Sequence, residues 1–128
     1  MSREVFEAFA GQQARFGYSQ AVAVGDSIYV AGTLGTGPGF DLPDDLAEQM
    51  ALAYRNIADT LAHFGADMSH VVEQKVFVTD IDAAMAAMPV RKAAYAGSQP
   101  PASTMVEVSR LDLPQAKVEI SVIARKDV

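Results

Sequence analysis

The residue best placed to do chemistry is Glu119, a carboxylate in the middle of Lys117-Val118-Glu119-Ile120, a segment otherwise built for burial. A carboxyl group held among apolar neighbours has its proton affinity raised, which suits it to general acid or base work. The ordinary alternative is an edge or interface glutamate paired with Lys117 or an arginine. From spacing alone the paired glutamate is the better supported reading, and Glu107 is read in the same way. The other reactive types point elsewhere. His63 and His70 fit no His-x-x-x-His or carboxylate-helix metal pattern. His63 falls near the end of a helical segment, where a cation is favourable, and reads as a cap or surface residue. No Gly-x-Ser-x-Gly elbow occurs. Cysteine is absent, which removes thiol nucleophiles, disulfides and thiolate metal sites. No metal or cofactor is expected. The run Gly35-Thr36-Gly37-Pro38-Gly39 lacks the Gly-Lys-Ser/Thr ending and the following helix that a phosphate cradle requires, and reads as a connecting loop.

The elements that must position these residues follow from periodicity. Ser19–Val24 and Ser27–Gly32 are β-rich stretches around Gly25-Asp26, a hairpin whose first turn residue should take positive φ. In Asp44–Phe64, Leu46, Met50, Ala53, Ile57, Leu61 and Phe64 recur at spacings of three and four, which makes one helix face. Asp41, Asp44 and Asp45 suit its start and Gly65 its left-handed end. Glu48, Gln49, Arg55, Asn56 and Asp59 lie off the apolar stripe and read as a solvated face. Val71–Thr79 is a strand. A loose turn then leads into a helix from Met88 to Tyr95, with Pro89 in its first turn. Thr104–Ser109 and Lys117–Ala124 are the last two strands. The six methionines read as core filler.

The order β-β-α-β-α-β-β over residues 1–128 gives a single α+β domain, a mixed sheet with two helices packed on one face. The other face, which carries Glu119, then needs a cover, and an oligomer is the usual one. Half the residues are hydrophobic, but 22 of the 128 are alanine, so the bulky core is smaller than that fraction suggests. A net charge of −6 argues against nucleic acid as a partner. No apolar run approaches the roughly 18 residues of a membrane span, and the first residues open no signal peptide. The expectation is a cytoplasmic protein with no membrane partner.

Fragments along the whole chain resemble the Rid family (YjgF/YER057c/UK114). They are Gly17-Tyr18-Ser19-Gln20, Tyr29-Val30-Ala31-Gly32, Glu48-Gln49 with Asn56-Ile57, and Val76-Phe77-Val78-Thr79-Asp80. Pro101-Ala102, Val106-Glu107-Val108, Arg110-Leu111, Lys117-Val118-Glu119-Ile120 and Ile123-Ala124 complete the match. The resemblance implies a chorismate-mutase-like fold assembled as a homotrimer, with small-molecule clefts between subunits. It implies hydrolysis of reactive enamines or imines, with Tyr18 and Glu119 as the catalytic pair and Gly32, Met88, Ser103, Thr104 and Met105 around the substrate. The pattern departs at one decisive place: the arginine that clamps a substrate carboxylate in deaminating members is here Ser103. Ala31, Met88 and Met105 differ from the usual cleft residues too. Losing a charge-assisted bond to a carboxylate costs on the order of 1.5–3 kcal/mol, and a hydroxyl cannot replace a planar two-pronged fork. The implied substrate is therefore non-standard, larger or less charged than 2-iminopropionate, unless Arg15, Arg91 or Arg110 supplies the missing charge. The alternatives are a trimer that binds a metabolite or a protein client without catalysis and, less favoured, an endoribonuclease.

Overall fold

The computed structural model describes residues 2–128. The strands are β1 (Arg3–Phe6), β2 (Ala21–Val24), β3 (Ser27–Leu34), β4 (Val71–Val78), β5 (Ala102–Glu107) and β6 (Val118–Arg125). The helices are α1 (Gln12–Phe16), α2 (Leu46–His63), α3 (Ile81–Ala86) and α4 (Met88–Ala94). The strands form one mixed sheet in the order β1-β2-β3-β6-β4-β5, antiparallel throughout except for the parallel pair β4–β5. Parallel neighbours need a crossover, and α3 and α4 provide it.

α2 forms where the three-and-four spacing placed it. Asp45 caps it by accepting from the Glu48 amide at 3.2 Å, and Gly65 follows its end with φ +78°. Its buried Leu46, Met50, Ala53, Ile57 and Leu61 meet Ile28, Val30, Val76, Val118, Ile120 and Val122 of the sheet. Each large aliphatic side chain so buried contributes about 1.5–3 kcal/mol relative to exposure. The alternation along β6 is strict, with Val118, Ile120, Val122 and Ala124 buried towards the helices. The β2–β3 turn has Gly25 at φ +58°, as the hairpin reading requires.

Four expectations need correction. The first twenty residues add β1 and α1, so the sheet has six strands where five were expected. The loose turn before Met88 is a helix, α3, whose start is capped by Asp80 accepting from Ala83 N and by Glu107 accepting from Ile81 N. Glu107 is thus a helix cap and not an ion-paired edge glutamate. The polar side of α2 is only partly solvated. Gln49 is fully buried and Asn56 half-buried, because residues 49, 53, 56 and 60 make a second inward stripe beside the apolar one.

The other face of the sheet bears no helix. The register puts Val5, Val22, Tyr29, Phe77, Val106 and Ile123 on it together with Glu73, Lys75, Thr104, Glu119 and Ser121, a mixed surface with Val5, Tyr29 and Val106 more than 40% exposed. No helix among the described residues is long and apolar enough to cross a membrane.

Candidate functional site

The strict alternation of β6 puts Glu119 on the uncovered face, and an irregularity in β3 brings Gly32 against it. Val30 pairs with Val122 and Thr33 with Ile120, so Ala31 and Gly32 together face the single residue Ser121. This β-bulge changes the parity of the strand, whose buried residues run Ile28, Val30, then Thr33. The backbone at Gly32 comes so close to Glu119 that a Cβ there would stand 2.7 Å from both Cδ and Oε1.

The bulge is held from below by a buried polar relay. Gln12 Oε1 accepts from Ala8 N (2.9 Å), and Gln12 Nε2 donates to Gln20 Oε1 (3.1 Å). Gln20 Nε2 donates to Thr33 Oγ1 (3.0 Å), and Thr33 Oγ1 donates to Ala31 O (2.8 Å). Every member is satisfied, which is the condition under which a buried network rigidifies its surroundings.

A cleft of about 900 Å³ opens over this point and brings together Tyr18, Gly32 and Glu119 with Asp112 and Arg15. One wall is the loop Thr36–Phe40, which Asn56 fixes by donating to Leu34 O (3.1 Å) and Thr36 O (2.9 Å). A Cβ on Gly35 would lie 2.1 Å from the carbonyl oxygen of Gln49, so only glycine lets this chain pass against α2. Gln49 holds the far side: its Nε2 donates to Pro43 O and Gln115 O, and its Oε1 accepts from Lys117 N. The aromatic rim is Phe9, stacked edge-on to Phe16 (6.0 Å) and Phe40 (5.0 Å).

The Glu119 carboxyl is held above the usual glutamate range, first by burial and second by the negative charge of Asp112. Among the described residues it has no ion-pair partner. Lys117, the expected one, instead donates to Asp44 O (2.5 Å). A desolvated, uncompensated carboxylate in a cleft binds its proton more readily than a solvated one, which suits it to proton exchange with a bound molecule.

Four of the sequence-derived cleft residues lie elsewhere. Ser103 and Met105 of β5 face the helices; Met105 packs on the core, and Ser103 Oγ accepts from the buried Gln74 Nε2 at 3.0 Å. Met88 begins α4 above them, half-buried. Thr104 pairs with Lys75 and faces the uncovered side, apart from Ser103. Ser103 is two strands from β6, roughly 10 Å away laterally, and on the opposite face from Glu119. Within one chain the two cannot converge.

Of the three arginines considered as replacements, Arg15 lies over the Phe16 ring (5.1 Å) and Arg110 donates to the neighbouring Leu111 carbonyl. Arg91 reaches Ser103. Neither histidine lines the cleft. His63 stacks on Phe6 (4.4 Å), and His70 Nδ1 accepts from Asp67 N (3.1 Å). No group of His, Asp and Glu among the described residues is arranged to hold a metal.

These features define an α+β sheet protein that keeps a half-buried carboxylate on an uncovered sheet face, in contact with a glycine in a β-bulge. The family model of Endoribonuclease L-PSP matches residues 10–126. A RutC family protein of Pyrococcus abyssi is 36% identical over 112 residues, covering 86% of this chain and 87% of the relative. The 2-iminobutanoate/2-iminopropanoate deaminase of Capra hircus is 37% identical over 109 residues, covering 84% and 78%. Among solved structures, a YjgF/YER057c/UK114 family member from Mycobacterium tuberculosis superposes with a TM-score of 0.85 at 35% identity, covering 97% of this chain and 99% of that one. The chain belongs to the YjgF/YER057c/UK114 (Rid) family.

Proposed function

We propose that the protein hydrolyses a reactive imine or enamine in clefts shared between the subunits of a cytoplasmic homotrimer. The observation that carries this reading is the Glu119 carboxylate, desolvated against Gly32 and free of any cation among the described residues. Relatives named as 2-iminobutanoate/2-iminopropanoate deaminases support the reaction class. The trimer is supported by the exposed Val5, Tyr29 and Val106 on the uncovered sheet face, and by Ser103 and Glu119 lying on opposite faces of one sheet.

In this reading Glu119 accepts a proton from water as the oxygen adds to the C=N carbon. Glu119 passes that proton to the imine nitrogen to give the neutral carbinolamine, then takes the hydroxyl proton and delivers it to the nitrogen as the C–N bond breaks, so that ammonia leaves as C=O forms. The net change is C=NH plus water to C=O plus NH₃. Tyr18 hydrogen-bonds the substrate from the cleft wall, and Gly32 admits it. Ser103 in place of an arginine supports a substrate larger than 2-iminopropanoate.

RNA cleavage draws no support from an acidic chain neither of whose histidines lines the cleft. The test is turnover of a panel of 2-imino acids and enamines by the parent and by Glu119→Ala. The parent is expected to be faster by at least a hundredfold. Equal rates overturn catalysis, and a compound that raises the melting temperature but survives unchanged would instead make the cleft a binding site.

A further inference from the structure

On the helix side of β5 lies a second cavity, of about 320 Å³, lined by Gln74, Arg91, Lys92, Tyr95, Ser98 and Ser103 among others. Its floor is a hydrogen-bond chain with a fixed direction. Tyr54 and Tyr95 both donate their hydroxyl protons to Gln74 Oε1 (2.8 Å each). Gln74, 2% exposed, turns its amide outward and donates to Ser103 Oγ (3.0 Å). Arg91 Nη1 donates to the same oxygen at 3.4 Å. A serine hydroxyl has two acceptor sites and one proton. Both acceptor sites are taken from within, so the proton is left to point into the cavity.

The charged side chains at the mouth, Arg91 and Lys92, are both donors, and the Ser98 hydroxyl can donate as well as accept. Arg91 adds to the Ser103 hydroxyl: one of its five N–H groups makes a long bond to Ser103, and none meets a carboxylate among the described residues. The charge faces the floor as well, since it favours the ionised forms of Tyr54 and Tyr95 against the burial that raises both. A site of donors around an unpaired guanidinium selects an anion with paired acceptor oxygens.

We propose that Arg91 and Ser103 form a carboxylate-binding site and, resting on the hydrolase reading above, that they hold the carboxylate of a 2-imino acid substrate. Arg91 stands one turn after Met88 on α4, on the side of that helix that meets Ser103. The positive charge thus comes from the helix and leaves strand position 103 small. The space so left beside the carboxylate suits a substrate with a longer side chain.

The experiment uses 2-oxobutanoate as a carboxylate probe that cannot be hydrolysed and 2-oxobutanamide as its uncharged counterpart. Both are titrated calorimetrically into the full-length protein. The parent should prefer the acid, and Arg91→Met should weaken acid binding by roughly 10- to 100-fold while leaving the amide unchanged. Arg91→Lys, which keeps the charge without the fork, should fall between, and Ser103→Ala should lose severalfold. A parent that binds acid and amide equally, or an Arg91→Met protein that binds the acid as the parent does, overturns the site. Arg91-dependent binding without turnover of any imine retains the anion site and removes the hydrolase reading. Turnover indifferent to Arg91 does the reverse.

Discussion

Gly32 and Glu119 are in contact across the β3–β6 bulge, so close that a methyl group on the first would overlap the carboxyl of the second at 2.7 Å. The neighbour in the way is the flexible end of a side chain and not backbone. Gly32→Ala should therefore push the carboxylate aside at a stability cost of about 1 kcal/mol. A displacement of about 1 Å at the reacting group should lower kcat/KM by roughly a hundredfold. Imine turnover beside a thermal melt separates the two effects.

Glu119 is also the group whose titration should be visible in both activity and stability. Burial and Asp112 raise its pKa. The folded protein thus holds this proton more tightly than the unfolded chain. The stability that comes from this is fully present below the ordinary glutamate pKa and is lost as pH rises through the raised one. Glu119→Gln should melt higher than the parent at pH 7–8, with the difference vanishing below about pH 4. Turnover should fall by 10²- to 10⁴-fold in the same variant. In the parent the acid limb of the rate profile should lie above the usual glutamate range, and Asp112→Asn should move it down.

Gln49 ties α2 to two loops, and Gly35 lets the chain pass beneath it. Gln49→Leu would leave Pro43 O, Gln115 O and Lys117 N without partners, at a cost of roughly 3 kcal/mol. Gly35→Ala, forced against helix backbone, should cost a similar amount. Denaturant midpoints measure both.

If the cleft is completed by Glu119 of one subunit and Arg91 of the next, two inactive variants should complement each other. Co-refolded Glu119→Gln and Arg91→Met chains should recover about a quarter of the parental clefts. Turnover of the mixture would report them, whereas a cleft formed within one chain would stay silent.

Most of the sheet and α2 were legible because their signals are long. Six apolar positions at helical spacing, or four alternating ones in β6, outweigh any local preference. β1 and α1 were not legible, because four largely exposed residues and five bounded by Gly11 and Gly17 carry no period. Glu119, Tyr18 and Gly32 could be named from the sequence, and the structure gathers them in one cleft. Gln49 and Asn56 were misread because a buried amide looks solvated until its partners are known, and those partners lie up to 68 residues away. Their position in register with Ala53 and Thr60 was the available signal. Ser103 and Glu119 could not be assigned to opposite faces without the strand order and the β6–β4–β5 register, which no single stretch encodes.

The glutamine relay gives the first residues a mechanical part in the site. Ala8 is joined through Gln12, Gln20 and Thr33 to the carbonyl of Ala31, next to the glycine that faces Glu119. The last residues end instead in a surface pair, Arg125 with Asp127. Glu119 itself stands on β6, the last strand, so both ends of the chain are built into the surroundings of this carboxylate, one through side-chain hydrogen bonds and the other through its own backbone. A fusion partner, an immobilising tether or a purification tag at either end is therefore expected to be felt at the cleft unless a flexible spacer separates it from the strand it follows or precedes.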